Sequence, residues 1–222
     1  MCILLKQEHL NGGLVSPVLA NIYLHYVLDD WFETIIRPKC NCATLIRYCD
    51  DFIAGFANKS DAEWFFAKLI SRLGQFGLEV ENTKTRIFPF GKSCSADSKS
   101  NFNFLGFEIF NSAAALGSYK VGYSISHNRT KLKKQEIKNF IKCNRNMSVD
   151  YLIDRLNQKL VGLYNYYGIV SNKSAVEDIY EYTIVQLKKW LSRRSQKGKI
   201  TWDKMNNILE YHPLVKPYFF SL

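Results

Sequence analysis

Leu45-Ile46-Arg47-Tyr48-Cys49-Asp50-Asp51-Phe52-Ile53-Ala54-Gly55-Phe56 sets two adjacent aspartates in the middle of an apolar run. Aspartate is depleted in strands, and a doubled one between two β-prone arms is tolerated at a hairpin tip. Both arms are apolar enough for a buried sheet, and Tyr48 and Phe52 bracket the tip. There each carboxylate disfavours ionisation of the other. A divalent cation resolves that conflict, and hard oxygen ligands on a rigid tip suit Mg²⁺. The plain alternative is a solvated Asp-Asp turn.

The rest of the chain narrows the choice. Its 222 residues can bury a good core as one domain or two, and 47% hydrophobic content argues for a folded protein. No run of about 18 apolar residues offers a membrane span. No basic segment or cleavage pattern near Met1 marks a signal peptide. Six scattered cysteines complete no zinc pattern, so reduced thiols and a cytoplasmic location are expected. The net charge of +10 is unevenly placed. Residues 1–118 hold 11 Lys/Arg against 12 Asp/Glu, a net of −1; residues 119–222 hold 19 against 8, a net of +11. A field of that size confined to one half favours polyanionic partners.

Periodicity and punctuation organise the chain in the same way. Ser16-Pro17 predicts a helix start, and Leu19, Ile22, Tyr23, Tyr26, Val27, Trp31 and Ile35 continue it to Pro38. Asp29-Asp30 falls on that helix and reads as a solvated face. Ser60-Asp61-Ala62-Glu63 and Ser174-Ala175-Val176-Glu177 are capping-box patterns, and Ser148 is a further N-cap. Strands are expected around 85–90, 102–110 and 119–125. After Ser126 the pattern is helical almost to the end, which places a boundary between residues 1–126 and 127–222.

Four further stretches carry a resemblance. Gly12-Gly13-Leu14-Val15-Ser16-Pro17 through Leu24 resembles the fourth sequence block of reverse transcriptases, and Tyr48 to Asp51 resembles their Y-x-D-D block. Gly77-Leu78-Glu79 with Lys84-Thr85, then Phe104-Leu105-Gly106-Phe107, look like the next two blocks in order. Residues 156–167, Leu-Asn-Gln-Lys-Leu-Val-Gly-Leu-Tyr-Asn-Tyr-Tyr, resemble the thumb or maturase region of group II intron-encoded proteins. The resemblance implies an α+β protein. Residues 1–126 would be the C-terminal part of a reverse-transcriptase palm, antiparallel strands with packed helices. Residues 127–222 would be an all-α thumb/maturase bundle that binds RNA.

The same likeness implies a function. The chain would be an RNA-directed DNA polymerase with an intron maturase role, using Mg²⁺, deoxynucleotides, an RNA template and a DNA primer or target. Asp50 and Asp51 become the metal-holding catalytic residues, with Asp51 the more peripheral. Asn11, Gly12, Tyr48, Lys84, Leu105 and Gly106 become nucleotide or primer contacts. Lys84 also reads as a surface lysine, and Gly106 as a bulge glycine. The family usually has Gln before the Gly of its fourth block, where this chain has Asn11, one methylene shorter. Cys49 stands where Ala is frequent.

The earlier palm aspartate and the fingers should precede Gly12. A chain beginning 11 residues upstream is therefore expected to be truncated and inactive in polymerisation alone. Completion would come from a homodimer or from an N-terminal half supplied in trans. Two basic groups carry the binding expectation: Lys131, Lys133, Lys134 and Lys138, and Lys188, Lys189, Arg193 and Arg194. The competing reading is a non-catalytic RNA-binding splicing factor of the intron.

Overall fold

The computed structural model describes residues 2–5, 15–81, 85–92, 101–113, 119–194 and 198–221, with the side chains of 2–5 and 113 excepted. Elements run β1 (Cys2–Leu5), α1 (Ser16–Leu24), β2 (Ala43–Tyr48), β3 (Asp51–Phe56), α2 (Lys59–Gln75), β4 (Arg86–Phe88), β5 (Phe102–Phe104), β6 (Phe107–Ala113), β7 (Tyr119–Ile125), α3 (His127–Asn144), α4 (Val149–Tyr167), α5 (Lys173–Leu191) and α6 (Trp202–Tyr211). The chain divides into two compact units, Met1–Leu105 with Phe110–Val121, and Gly106–Ile109 with Gly122–Leu222. Among the described residues no helix is long and apolar enough to cross a membrane.

In the first unit a four-stranded sheet orders its strands β2-β3-β1-β4, and β1 lies antiparallel to both β3 and β4. Alternation sets its buried face: Phe52, Ala54 and Phe56 of β3 point inward while their neighbours are half exposed. Beneath them α2 presents Ala62, Phe65, Leu69 and Leu73 at helical spacing, and Phe32 and Ile36 complete the core. Phe32, Phe56 and Phe65 meet with ring centroids 5.1–6.2 Å apart. A one-residue slip in β3 would turn this aromatic set to the other face, so the core fixes the register that carries Asp51.

The helix expected from Ser16 departs from ideal geometry. After α1 it passes through π-helical stretches at His25–Asp29 and Phe32–Ile36, then a 3₁₀ turn at Arg37–Lys39 before Cys40. Val15, not Ser16, occupies the N-cap position. The single strand expected over 102–110 is broken by a turn at Leu105-Gly106, where both residues have positive φ (51° and 81°). Positive φ at both central positions matches the mirror-image turns that join hairpin strands tightly. β5, β6 and β7 form a second sheet in that order.

The second unit is built on α4, whose Leu152, Leu156, Leu160 and Tyr164 recur every four residues and are fully buried. Ile137 and Ile141 of α3, with Val176, Ile179 and Leu187 of α5, close around that stripe. Ser126, Ser148 and Thr201 cap α3, α4 and α6 by accepting from the N–H of Arg129, Tyr151 and Lys204. The tail after α6 is pinned by Asn157, whose Nδ2 donates to the Pro213 carbonyl at 3.0 Å and whose Oδ1 accepts from the Val215 N–H at 2.9 Å. Gly168 is required where α4 ends: a Cβ there would stand 2.3 Å from the Tyr164 carbonyl oxygen and 2.7 Å from that of Tyr218.

Candidate functional site

β2 and β3 pair antiparallel from Ala43↔Phe56 to Tyr48↔Asp51, leaving Cys49-Asp50 as a two-residue turn. Asp50 therefore sits in the turn itself, and Asp51 is the first residue of the returning strand. Both are half-buried, while Tyr48 is 62% exposed beside them. Cys49 takes φ +53°, the left-handed region that an L side chain enters at a cost. Something outside the turn has to hold it there.

Arg47 does so. Its Nη1 donates to the Cys49 carbonyl at 2.8 Å and to Asn21 Oδ1 at 2.8 Å. Its Nε and Nη2 grip the two oxygens of Asp29 at 2.7 and 2.6 Å. The pair is largely withdrawn from water, with side chains 12% and 25% exposed. The hydrogen bonds that it donates to Asp29 hold the Arg47 guanidinium above its ordinary pKa, against the lowering effect of burial. Asn21 also reaches the Cys49 Sγ, at 3.8 Å. Two helical residues, Asn21 and Asp29, thus brace the aspartate turn through one arginine.

Asp29, expected as a solvated helical charge, is instead half of this pair. The signal lay in Arg47: a guanidinium inside an otherwise apolar strand needs a partner. Sequence reasoning missed Arg47, Asp29 and Asn21 as parts of the site.

Of the other expected site residues, Asn11, Gly12 and Lys84 lie outside the described residues. Leu105 and Gly106 form the β5–β6 turn; a Cβ on Gly106 would meet the Tyr167 hydroxyl at 2.6 Å. Among the described residues no group of three or more His, Cys, Asp and Glu side chains is gathered as a metal site. Asp50 and Asp51 are hard oxygen donors on consecutive residues, which suits a divalent ion as part of a ligand set. An apolar hollow of about 530 Å³ lies along α1, walled by Leu19, Ile22, Tyr23 and Leu78. It offers little to a charged nucleotide.

In the helical unit the basic residues divide by what they touch. Lys133 pairs with Glu136 at 2.9 Å and Lys134 with Asp178 at 2.5 Å. Lys188 lies 4.7 Å from the centroid of Trp202, and Arg193 lies 4.9 Å from that of Trp190. Lys131, Lys138 and Lys189 lie on the helices α3 and α5, with Lys131 and Lys189 exposed. Arg194 is exposed and lies beyond the end of α5, and its Nη2 donates to the Met147 carbonyl at 2.7 Å.

Two family models match the chain. Residues 10–109 match the family model described as reverse transcriptase (RNA-dependent DNA polymerase). Residues 130–208 match that of the group II intron maturase-specific domain. Reverse transcriptases work with divalent metal ions. No curated protein matches the chain. Among solved structures, a telomerase from Candida albicans in complex with a fragment of telomeric RNA is similar at 17% identity and a TM-score of 0.38. The match covers 90% of this chain and 31% of that one, so this chain spans about a third of that one's length.

Proposed function

The chain belongs to the group II intron reverse transcriptases/maturases, and we propose that it contributes the aspartate turn of an RNA-directed DNA polymerase together with an intron-RNA-binding module. The observation that carries this reading is the Tyr48↔Asp51 closing pair with Cys49-Asp50 as the turn, inside the residues that match the polymerase model. Asp50 and Asp51 would hold Mg²⁺. When bound, such ions lower the barrier to nucleotidyl transfer by activating a 3′-hydroxyl and offsetting charge on the transferring phosphate.

The protein's own part is positioning. Arg47 fixes the Cys49 carbonyl, and with it the direction in which Asp50 leaves the turn. Tyr48, exposed beside the tip, offers a surface to primer or nucleotide. Lys84 and the Leu105-Gly106 turn are the further proposed contacts. The helical unit, where the positive charge is concentrated, would hold intron RNA by its backbone. Two carboxylates are fewer than a two-metal site takes, so polymerisation would draw on a further carboxylate beside the turn and on a fingers region that holds the incoming nucleotide.

Primer extension on poly(rA)–oligo(dT) with Mg²⁺ tests this. The chain alone is expected to extend nothing. With the fingers-and-palm fragment of a group II intron reverse transcriptase added, template-dependent extension should appear, and Asp50→Ala should abolish it. Extension by the Asp50→Ala chain would overturn the assignment. The net charge of +11 over residues 119–222 favours a second reading, an RNA-binding splicing factor without polymerisation. Tight RNA binding with no extension under any complementation would select it.

A further inference from the structure

α3 and α5 lie side by side and run in the same direction. Lys134, early in α3, pairs with Asp178, early in α5, while Lys142 and Arg145 at the far end of α3 reach Trp190 at the far end of α5. Two helix C-termini therefore come together, and the partial negative charge at each attracts cations. The cations gathered there exceed that need.

Three of them surround one ring. The Arg193 and Arg145 guanidinium carbons lie 4.9 and 5.7 Å from the Trp190 centroid, and Lys142 Nζ lies at 5.9 Å. Among the described residues none of the three is within ion-pair distance of a carboxylate, in contrast to Lys133 and Lys134. A ring face attracts a cation by about 0.5–2 kcal/mol, which does not neutralise it. Trp190 is 6% exposed, and among the described residues its buried indole N–H has no acceptor. Arg194, bonded to the Met147 carbonyl, ties the segment after α5 to the loop after α3 and so holds Arg193 in place. Next to this group Lys188 stacks on Trp202, a half-exposed indole. The result is a cluster of donors and positive charge with no carboxylate against it among the described residues.

We propose that Lys142, Arg145 and Arg193 around Trp190 form a phosphate-binding site that grips the sugar-phosphate backbone of RNA. This rests on the reading of the helical unit as RNA-binding and names the place where the backbone is held. Planar guanidinium groups bind phosphate oxygens in a fork, and Lys142 adds a point charge. The aromatic floor orients all three.

The experiment uses the full chain and a fluorescein-labelled RNA hairpin, with affinity followed by anisotropy over a salt series. The triple variant Lys142→Gln, Arg145→Gln, Arg193→Gln is compared with Lys173→Gln, Lys204→Gln, Lys216→Gln, which removes the same charge from exposed positions elsewhere in the helical unit. The first should weaken binding about tenfold or more and reduce the slope of log K against log salt by about 1; the second should cost less than about threefold. A charge-conserving pair, Arg145→Lys with Arg193→Lys, should still weaken binding about threefold, because the fork is lost while the field remains. That pair decides the matter should the triple fail to fold. Equal losses in the two triples, or an unaffected lysine pair, would overturn the site while leaving RNA binding standing. A wild-type chain that does not bind the hairpin would overturn both.

Discussion

Arg47 and Asp29, 18 residues apart in sequence, meet through two hydrogen bonds of 2.7 and 2.6 Å, and the same guanidinium holds the carbonyl of Cys49 in the aspartate turn. The strand before the turn and the helix beneath it are therefore coupled by one side chain. Removing one member of a buried pair strands its partner's charge, at about 3–5 kcal/mol when burial is complete. With Asp29 a quarter exposed, Asp29→Ala should cost about 2 kcal/mol. Arg47→Ala should cost a similar amount. The double variant should fall well short of the sum, with a coupling energy above about 1 kcal/mol. Urea unfolding of the four proteins measures this. Strict additivity would mean that the pair contributes nothing.

Cys49 gives the turn a second handle. Its φ of +53° is open to glycine and hostile to β-branched residues. Cys49→Val should destabilise the chain by about 1–2 kcal/mol, since a positive φ is strained for it and the contact from Asn21 is lost. Cys49→Gly should stay within about 1 kcal/mol of wild type, because relief of backbone strain offsets the greater freedom of the unfolded chain. Urea midpoints of the two variants decide it. A valine variant as stable as the glycine one would show that the turn takes another conformation.

The hairpin is legible in residues 45–56 because alternation and a doubled aspartate are local signals. The helices of the second unit are legible for the same reason, down to the Ser148 cap. Features that depend on residues far apart are not. Both capping-box patterns mislead: α2 starts after Asn58 and α5 after Asn172, so Ser60 and Ser174 fall inside helices. Asn172 could not be foreseen there, because its side chain accepts from the Ile125 N–H and donates to the Tyr167 carbonyl, a link made by packing. β1 is four residues long, too short for a periodic signal, and only its pairing with β3 and β4 makes it a strand. At the site, Asp50 and Asp51 are visible as a pattern. The brace from Asp29 is not, because a helical Asp-Asp pair looks the same whether or not an arginine lies above it.

Arg194 separates structure from binding within one basic run. Burial lowers its guanidinium pKa, and it donates to the Met147 carbonyl. Arg194→Ala should therefore cost about 1–2 kcal/mol, the worth of a charged hydrogen bond to backbone. Lys189→Ala, at an exposed position, should stay within about 0.5 kcal/mol of wild type. Thermal unfolding of each variant checks this. Equal stability of the two would show that the hydrogen bond to Met147 contributes nothing.

Tyr164 makes the helical unit sensitive to alkali. It is fully buried at the C-terminal end of the α4 stripe, and its hydroxyl donates to the Val215 carbonyl at 3.3 Å. Burial raises its phenol above the ordinary range, as it does those of Tyr167 and Tyr180. The sign comes from proton counting. Above about pH 10 the unfolded chain releases phenolic protons that the folded chain keeps, so the unfolded state binds fewer protons and stability falls as pH rises. Below about pH 10 both states hold the proton and the contribution is complete. Each such phenol should cost up to about 1.4 kcal/mol per pH unit above its unfolded value. Tyr164→Phe removes one of the three. Its stability, measured by urea and far-UV circular dichroism, should fall between about pH 9 and 11 by about 1 kcal/mol less than that of wild type. Parallel pH profiles for the two proteins would mean that Tyr164 ionises as readily folded as unfolded, and that the α4 core admits water.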